Sequence, residues 1–409
     1  MFHEIIVVGA GASGIMASIT VKDRGKDIAI LESNNRIGQK LLSTGNGRCN
    51  ITNKNINSCN YHSKNPQFCK NVLNNFTVDH TITFFHSLGL PLTTLENGKM
   101  YPLSLQASSV LDILKMALED RHIPVYFNSK VKDIIYTKKY FKISCQDGTY
   151  ECKKLILCTG GQSAPNTGSD GSGFSICKKL GHNIISPLPA LVQLKLKYNR
   201  LKALSGVKFN GSVTILADDE IIKQEQGELL FTDYGISGPP ILNISGIASY
   251  NLFNKKSVEL KIDMLPDFKE EELIELLENH WGIFNYRSVY NSLIGIVNKK
   301  IIPILLNEAM VENIHKPCYE LDWKEKNNIY NLLKSWRFTV WDTNSFKNSQ
   351  VTSGGIDTYE VNPKTLESKK IKNLYFAGEI LDIYGDCGGF NLQWAWSSGF
   401  MAGKSAAEI

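Results

Sequence analysis

Apolar residues fall in short unbroken runs near the two ends of the chain and alternate with polar ones through its middle. The two patterns predict different architectures. Residues 4–8, EIIVV, form a short apolar run of the kind expected of a strand buried on both faces in a parallel sheet. Residues 15–24 then predict a helix, with Gly25 just past its end. Residues 28–31 predict a second buried strand, closing on Glu32. Two more apolar runs end in glycine: LILC before Thr159-Gly160-Gly161, and LYFA before Gly378-Glu379. Residues 391–408 predict a closing helix. Leu392, Trp394, Ala395, Ser398, Phe400 and Met401 give it a broad packing face, and Asn391 is a first-turn or cap residue.

Residues 191–255 alternate apolar and polar. They predict short antiparallel strands with turns at Asn210-Gly211 and Asp218-Asp219. Residues 267–316 change to a helical period, with Leu273, Ile274, Leu276 and Leu277 on one face and a break at Pro303. WRFTVWDT, residues 336–343, returns as strand. The expected fold class is α/β: a Rossmann-like, three-layer nucleotide domain interrupted by a β-barrel-like insert that carries a small helical subdomain. The expected domains are 1–190 with 346–409, 191–265 with 317–345, and 266–316.

Composition narrows the function classes. The chain has 409 residues, 43% hydrophobic and 21% charged, which is ordinary globular protein large enough for two or three domains. Its net charge of +5 is spread along the chain, so no nucleic-acid footprint is expected. Nine scattered cysteines without a CxxC pair predict reduced thiols, no structural zinc and a cytoplasmic location. The start of the chain runs directly into strand and glycine loop, so it reads as fold and not as a targeting segment. No apolar run approaches the roughly 18 residues of a membrane span.

The chemistry begins at Gly9-Ala10-Gly11-Ala12-Ser13-Gly14, a G-x-G-x-x-G between strand and helix. Gly9 permits the tight turn, Gly11 lets a pyrophosphate approach the backbone, and Gly14 lets helix and strand pack closely. The helix N-terminus supplies free N–H groups and a partial positive charge. Glu32 stands 18 residues after Gly14, placed to accept both ribose hydroxyls and to repel a 2′-phosphate. The loop 33–60 is polar and aperiodic. Its glycines, Gly38, Gly45 and Gly47, are interleaved with Arg36, Lys40 and Arg48, as in a backbone wrapping a ligand. Such an insertion favours FAD over NAD. Glu379 would then bind the polyol chain, and residues 384–389 would bend beneath the flavin ring. A helix N-terminus there would stabilise the negative charge of the reduced ring.

VVGAGASG, RIGQKLLSTGNGRCN, CTGG, GELLFTDYGISGPPIL, VTSGG and NLYFAGEILDIYGDCGGFNLQWAWSSG occur in that order. Together they resemble the BaiN/aminoacetone-oxidase-type family of bacterial NAD(P)/FAD-dependent oxidoreductases, over nearly the whole chain. The resemblance implies a glutathione-reductase-like FAD domain in two pieces. It also implies FAD contacts from Gly9, Gly11, Ala12, Ser13, Gly14, Glu32, Ser33, Lys40, Gly45, Asn46, Gly47, Arg48, Gly160, Gly378, Glu379, Gly388, Gly389 and Asn391. Family members often carry His where this chain has Asp233.

The expected function is FAD-dependent hydride transfer on a small organic substrate. With no second G-x-G-x-x-G, NAD(P)H would visit the flavin transiently, or O₂ would be the second partner. The competing readings are a flavoenzyme that modifies tRNA and a non-catalytic flavin-binding protein. Short Lys patches at 298–300 and 369–372 give the tRNA reading little support. Arg48 and Asp386 are the first candidates beside the ring. Arg48 would orient a carboxylate, or else pair with an acid or the pyrophosphate; Asp386 would act at the ring, or else cap the last helix. Tyr384 and Tyr234 are proton donors or packed aromatics. Cys49 sits beside Arg48, a neighbour that lowers a thiol pKa. His62, His80, His86 and His182 share no spacing with acids and read as surface or loop residues. No metal ligands are expected.

Overall fold

The computed structural model describes residues 1–408, in two compact units: Met1–Pro189 with the segment from Phe346 onward, and Ala190–Ser345. The first unit is built on a mostly parallel sheet. Strand β1 (Phe2–Val8) leads into helix α1 (Ala12–Lys22) and strand β2 (Ile28–Leu31). Strand β3 (Thr149–Leu157) lies parallel to β1 on its other side. The edge of β3 away from β1 is used twice. Its first half pairs antiparallel with Phe141–Cys145, and its second half pairs parallel with strand β4 (Leu374–Phe376). Val8 aligns with Leu31 and Leu157, and Leu157 with Phe376, so four parallel strands end in one row. In β1, Ile5, Ile6 and Val7 are fully buried, as a two-sided parallel strand requires.

The closing helix α2 (Phe390–Glu408) packs on α1. The approach is close because small residues face α1. A Cβ on Gly399 would lie 2.4 Å from the Ser13 carbonyl oxygen, and one on Gly403 2.6 Å from that of Ala17. Trp394 and Trp396 are almost wholly buried, and neither wastes its polar edge. The Trp394 indole N–H donates to the Gly378 carbonyl at 3.0 Å, and that of Trp396 to the Ile51 carbonyl at 3.0 Å. Burying rings of this size supplies about 2–3 kcal/mol each. Their indole bonds also pin two loop carbonyls to α2, so one helix fixes both the end of β4 and the loop after β2.

The second unit is a closed six-strand barrel. Its order is Leu194–Lys197, Gly235–Ser237, Glu220–Phe231, Lys208–Ala217, Val258–Asp263 and Trp336–Thr343. Helices Glu270–Ile283, Val289–Ser292 and Ile302–Glu308 follow the fifth strand. Three details correct the sequence reading. Asn210-Gly211 is no turn: both residues sit inside Lys208–Ala217, opposite Glu228 and Gly227. Residues 239–253 are not strand but a helix, Pro239–Phe253, opened by two prolines at the position where a missing N–H costs nothing. A helix at Trp323–Ser335 precedes the last barrel strand. The Asp322 side chain caps it, and Glu325 reaches back to the Asp322 N–H. Among the described residues no helix is long and apolar enough to cross a membrane.

Candidate functional site

The row of strand ends in the first unit places the glycines that matter. Gly9 adopts φ +102°, and a Cβ there would meet the Cys158 carbonyl oxygen at 2.5 Å. A Cβ on Gly14 would lie 1.9 Å from the Gly9 carbonyl oxygen. At Gly11 nothing stands within 4 Å. The outer two glycines are therefore closed by the fold, and the middle one faces open space. Gly11 is also the N-cap of α1. No side chain caps that terminus and no acid stands in its first turn, so the N–H groups from Ala12 onward keep their donor capacity. Ser13 is turned inward instead, donating weakly to the Ala377 carbonyl at 3.4 Å.

Glu32, at the end of β2, is buried with a well-supplied carboxylate. Oε2 accepts the Ala10 N–H at 2.7 Å; Oε1 accepts from the Asn34 N–H at 2.8 Å, the Asn34 amide at 2.9 Å and the Ser33 hydroxyl at 3.2 Å. Oε2, with one partner, keeps acceptor capacity. Beyond β4, Glu379 accepts the Thr352 N–H at 2.8 Å and pairs with the Lys40 ammonium at 2.7 Å, which ties the loop after β2 to the end of β4. Gly160, φ +72°, follows β3 against Ser169.

The loop that carries Arg48 is contorted. Gly45, Asn46, Gly47 and Cys49 all take positive φ, between +56° and +81°. The Arg48 guanidinium is exposed over the Tyr101 ring, 5.4 Å from its centroid. Cys49 turns the other way, is fully buried, and burial pushes its thiol up to about 12. The expectation that Arg48 lowers this pKa is therefore overturned: adjacent in sequence, the two side chains occupy different environments. Burial likewise raises Cys387.

The turn into α2 is the second end of the site. The Asn391 side chain accepts the Gly385 N–H at 2.7 Å and donates to the carbonyls of Gly385 at 2.8 Å and Asp386 at 3.3 Å. It fastens the turn, and what it can offer a ligand is its backbone. Gly388 and Gly389 take φ +137° and +99°. Asn53 donates to the Gly388 carbonyl at 2.9 Å.

Asp386 turns its carboxylate to Asn60 and His62. It accepts from His62 Nε2 at 2.7 Å and from the Asn60 amide at 3.3 Å, while its own N–H donates to the Asn60 carbonyl at 2.8 Å. Tyr384 is buried and packs against the His62 ring, tilted by 33° with centroids 4.8 Å apart. Burial, then the charges of Asp386 and Asp382, hold the Tyr384 phenol well above its ordinary range. Tyr234 belongs to the other unit, where it is exposed and its hydroxyl accepts from the Asn344 amide at 3.3 Å.

His62 is the residue that sequence reasoning missed. Its partner is 324 positions away, and only the antiparallel pairing of Tyr61–His62 with Tyr384–Gly385 brings them together. His182 was misread as well: it is buried, within 3.1 Å of Glu360 Oε2 and 3.0 Å of the Ser368 hydroxyl.

Three buried polar atoms in these segments lack a partner: Asn50 Oδ1, Thr159 Oγ1 and Ser169 Oγ. Asn50 Oδ1 lies 2.9 Å from where a Cβ on Gly389 would sit, and Ser169 Oγ 2.8 Å from one on Gly160. Unpaired buried polar atoms are costly. Beside glycine backbone that a Cβ would crowd, they fit a polar ligand.

A family model described as HI0933-like protein Rossmann domain matches residues 3–405. The 3-dehydro-bile acid delta(4,6)-reductase of Clostridium scindens is 38% identical over 408 residues, 99% of this chain and 99% of that protein. Two proteins named ribosomal RNA dihydrouridine synthase are each 29% identical. That of Haemophilus influenzae matches 100% of this chain and 99% of its own length, and that of Escherichia coli 97% and 96%.

Proposed function

The chain belongs to the HI0933-like Rossmann family, and from that premise we infer an FAD-dependent oxidoreductase that saturates a carbon–carbon double bond conjugated to a carbonyl. The observation that carries the cofactor assignment is the row of glycine-ended strands, β1, β3 and β4, with Gly11 open between two closed glycines. The substrate class is supported by what the names of the relatives share. A delta(4,6)-reductase of a 3-dehydro-bile acid and a dihydrouridine synthase both reduce such a bond.

The residues fit the cofactor. The α1 N-terminus and Gly11 would take the pyrophosphate, Glu32 the ribose, and Glu379 with Lys40 the polyol chain. Asn50 and the backbone at Gly388 and Gly389 would meet the ring end. When bound, FAD supplies a hydride. The α2 N-terminus would favour negative charge beside the ring, an effect worth up to about 2 kcal/mol where partly buried. NADH or NADPH is the proposed reductant, visiting the flavin without a second Rossmann site.

A small-molecule substrate is the first reading, because the relative with the higher identity takes one by name. Ribosomal RNA is the second, favoured by the two synthases. Charge on the insert does not help RNA: residues 190–345 carry 18 Lys and Arg against 20 Asp and Glu. The test is the visible spectrum of the purified protein under anaerobic NADH and then NADPH. A 3-oxo-4,6-diene steroid follows, and uridine-containing ribosomal RNA in a parallel sample. Bleaching by nicotinamide and recovery with the dienone is the expected result. Recovery with RNA alone would move the substrate to the second reading. Protein that retains no flavin after FAD is added sinks the assignment.

A further inference from the structure

We propose that His62, held by Asp386, is the proton donor to the substrate carbon at this site. The proposal rests on the reading of the site as one that reduces a conjugated double bond. Residues 61–62 pair antiparallel with 384–385, His62 opposite Tyr384, and Asp386 follows directly. The pair then closes at 2.7 Å, with the acid side chain 13% exposed and the imidazole 27%. An acid set back behind a more accessible imidazole is the arrangement that orients a histidine for proton transfer.

Asn60 holds Asp386 twice: its side-chain amide donates to the carboxylate, and its carbonyl accepts the Asp386 backbone N–H. The ring is held by the acid and by the Tyr384 ring packed against it. Nε2 is spent on Asp386, which leaves Nδ1 for a second partner. Asn391, which grips the Asp386 carbonyl, couples the dyad to the turn that opens α2.

The other candidates on this edge keep their protons. A guanidinium is not a proton donor in the working range. The Tyr384 phenol and the Cys49 thiol are both pushed up by burial. Imidazole is the side chain that exchanges a proton near neutrality. Around the dyad stand Asp386 and Tyr384 from the strand before α2, Asp382, which accepts the Lys64 N–H at 3.1 Å, and Tyr61 and Lys64 from the segment that carries His62.

The step balances. One alkene carbon gains the hydride delivered from bound, reduced FAD, and the π pair moves towards the carbonyl oxygen. The adjacent carbon then gains the proton that leaves His62 Nδ1, and the imidazole recovers a proton from water. The net change is two electrons and two hydrogens onto the alkene.

The experiment uses the FAD-loaded protein, reduced anaerobically with dithionite so that nicotinamide plays no part. It is mixed with a 3-oxo-4,6-diene steroid between pH 5.5 and 8.5, and flavin reoxidation is followed. His62→Asn is expected to keep wild-type FAD content and Tm while reoxidation slows about 100-fold or more, the scale of general acid catalysis. Its rate should lose the pH dependence of the wild type. Imidazole added to His62→Ala should restore part of the rate, which a structural role would not allow. Asp386→Asn, which misorients the ring, should fall between wild type and His62→Asn. Wild-type reoxidation rates in His62→Asn overturn the proposal, and so does loss of FAD from that variant. If the reduced wild type is reoxidised neither by the dienone nor by uridine-containing ribosomal RNA, the function itself fails and the proton assignment with it.

Discussion

The two ends of the proposed FAD site are built in opposite ways. The dinucleotide end comes from one continuous stretch, residues 2–34, in which strand, glycine turn, helix, strand and acid follow one another. The bonds that fix its acid are short-range: Ala10 N–H to Glu32 and Asn34 to Glu32. The ring end is assembled from residues 50–62 and 384–391, and its bonds span more than three hundred positions: Asn53 to Gly388, Asn60 and His62 to Asp386. The first end can form as soon as β1, α1 and β2 do. The second exists only once α2 has docked on α1 and drawn the turn before it against the early loop. Local construction makes the first a matter of backbone sterics, and remote construction makes the second a matter of side-chain hydrogen bonds.

That contrast is broken most severely at the glycine turn. Gly14→Ala forces a Cβ to 1.9 Å from a backbone carbonyl that cannot move without β1. A loss of about 3 kcal/mol is expected, or failure to fold. Gly11→Ala adds the same atom where nothing lies within 4 Å. It should leave Tm within about 2 °C, since the backbone at φ −81° is open to alanine and an alanine N-cap costs only a few tenths of a kcal/mol more than glycine, yet lower FAD affinity about tenfold or more by filling the pyrophosphate path. Thermal melts and flavin titration of the two variants check the pair. Wild-type FAD affinity in Gly11→Ala would mean that the open face at Gly11 holds no ligand.

The ring end should fail more gently. Asn391→Ala removes three hydrogen bonds from the turn. At about 0.5–1 kcal/mol each, roughly 2 kcal/mol is expected, read as a drop in urea midpoint with unchanged slope. Because the bonds bridge the turn and α2 rather than stabilise a strand, the loss should fall on local opening. Proteolysis near residue 386 should then rise before global unfolding does.

The same division explains what was readable in advance. β2 appears at residues 28–31 as its apolar run indicates, and β1 and α1 differ from their expected bounds by two or three residues, because each is defined by a periodicity contained in itself. Asn210-Gly211 misled because the dipeptide favours a turn only if the chain reverses there; here the alternation on either side continues through it and the strand wins. Pro239–Phe253 was read as strand because its apolar residues lie on all sides of a buried helix, leaving no helical period to see. The His62–Asp386 pair left no trace in the sequence, since nothing near either residue encodes the other. Cys49 shows the converse error, in which adjacency in sequence was taken for adjacency in space.

A third remote cluster sharpens the comparison through pH. His182 is held neutral by burial: desolvation lowers its pKa below the ordinary value of 6.5, against the pull of Glu360. Burial alone would raise the Glu360 carboxyl, but bonds to Lys370 and the Asn183 N–H hold it below the usual range, so its own contribution grows only as pH falls towards the carboxylate range. A histidine whose folded pKa is depressed stabilises the fold above its unfolded pKa, and that stability is lost as pH falls below about 6.5. The Tm of the wild type should therefore drop more between pH 7 and 5 than that of His182→Asn, measured by calorimetry in matched ionic strength. Identical slopes would show that burial does not shift the imidazole on folding, and a shallower wild-type slope that the fold favours its protonated form.

The smallest effect belongs to a feature that is wholly local. Asp218 and Asp219 close the hairpin between Lys208–Ala217 and Glu220–Phe231, with φ +49° and +64°. Two positive values in a two-residue turn match the right-handed twist of the strands, and glycine meets that demand at the second position more cheaply than aspartate. Asp219 gains little in return: its contact with Arg337 is 3.6 Å long and its side chain is 89% exposed. Asp219→Gly should thus stabilise the protein by a few tenths of a kcal/mol, about 0.5 at most, after the added backbone freedom of glycine in the unfolded chain is set against the relieved strain. Urea midpoints resolve a change of that size. A midpoint that falls instead would mean that the aspartate's own hydrogen-bonding preference for the left-handed region outweighs its Cβ penalty, and that even this local turn is decided by side-chain chemistry rather than by backbone sterics.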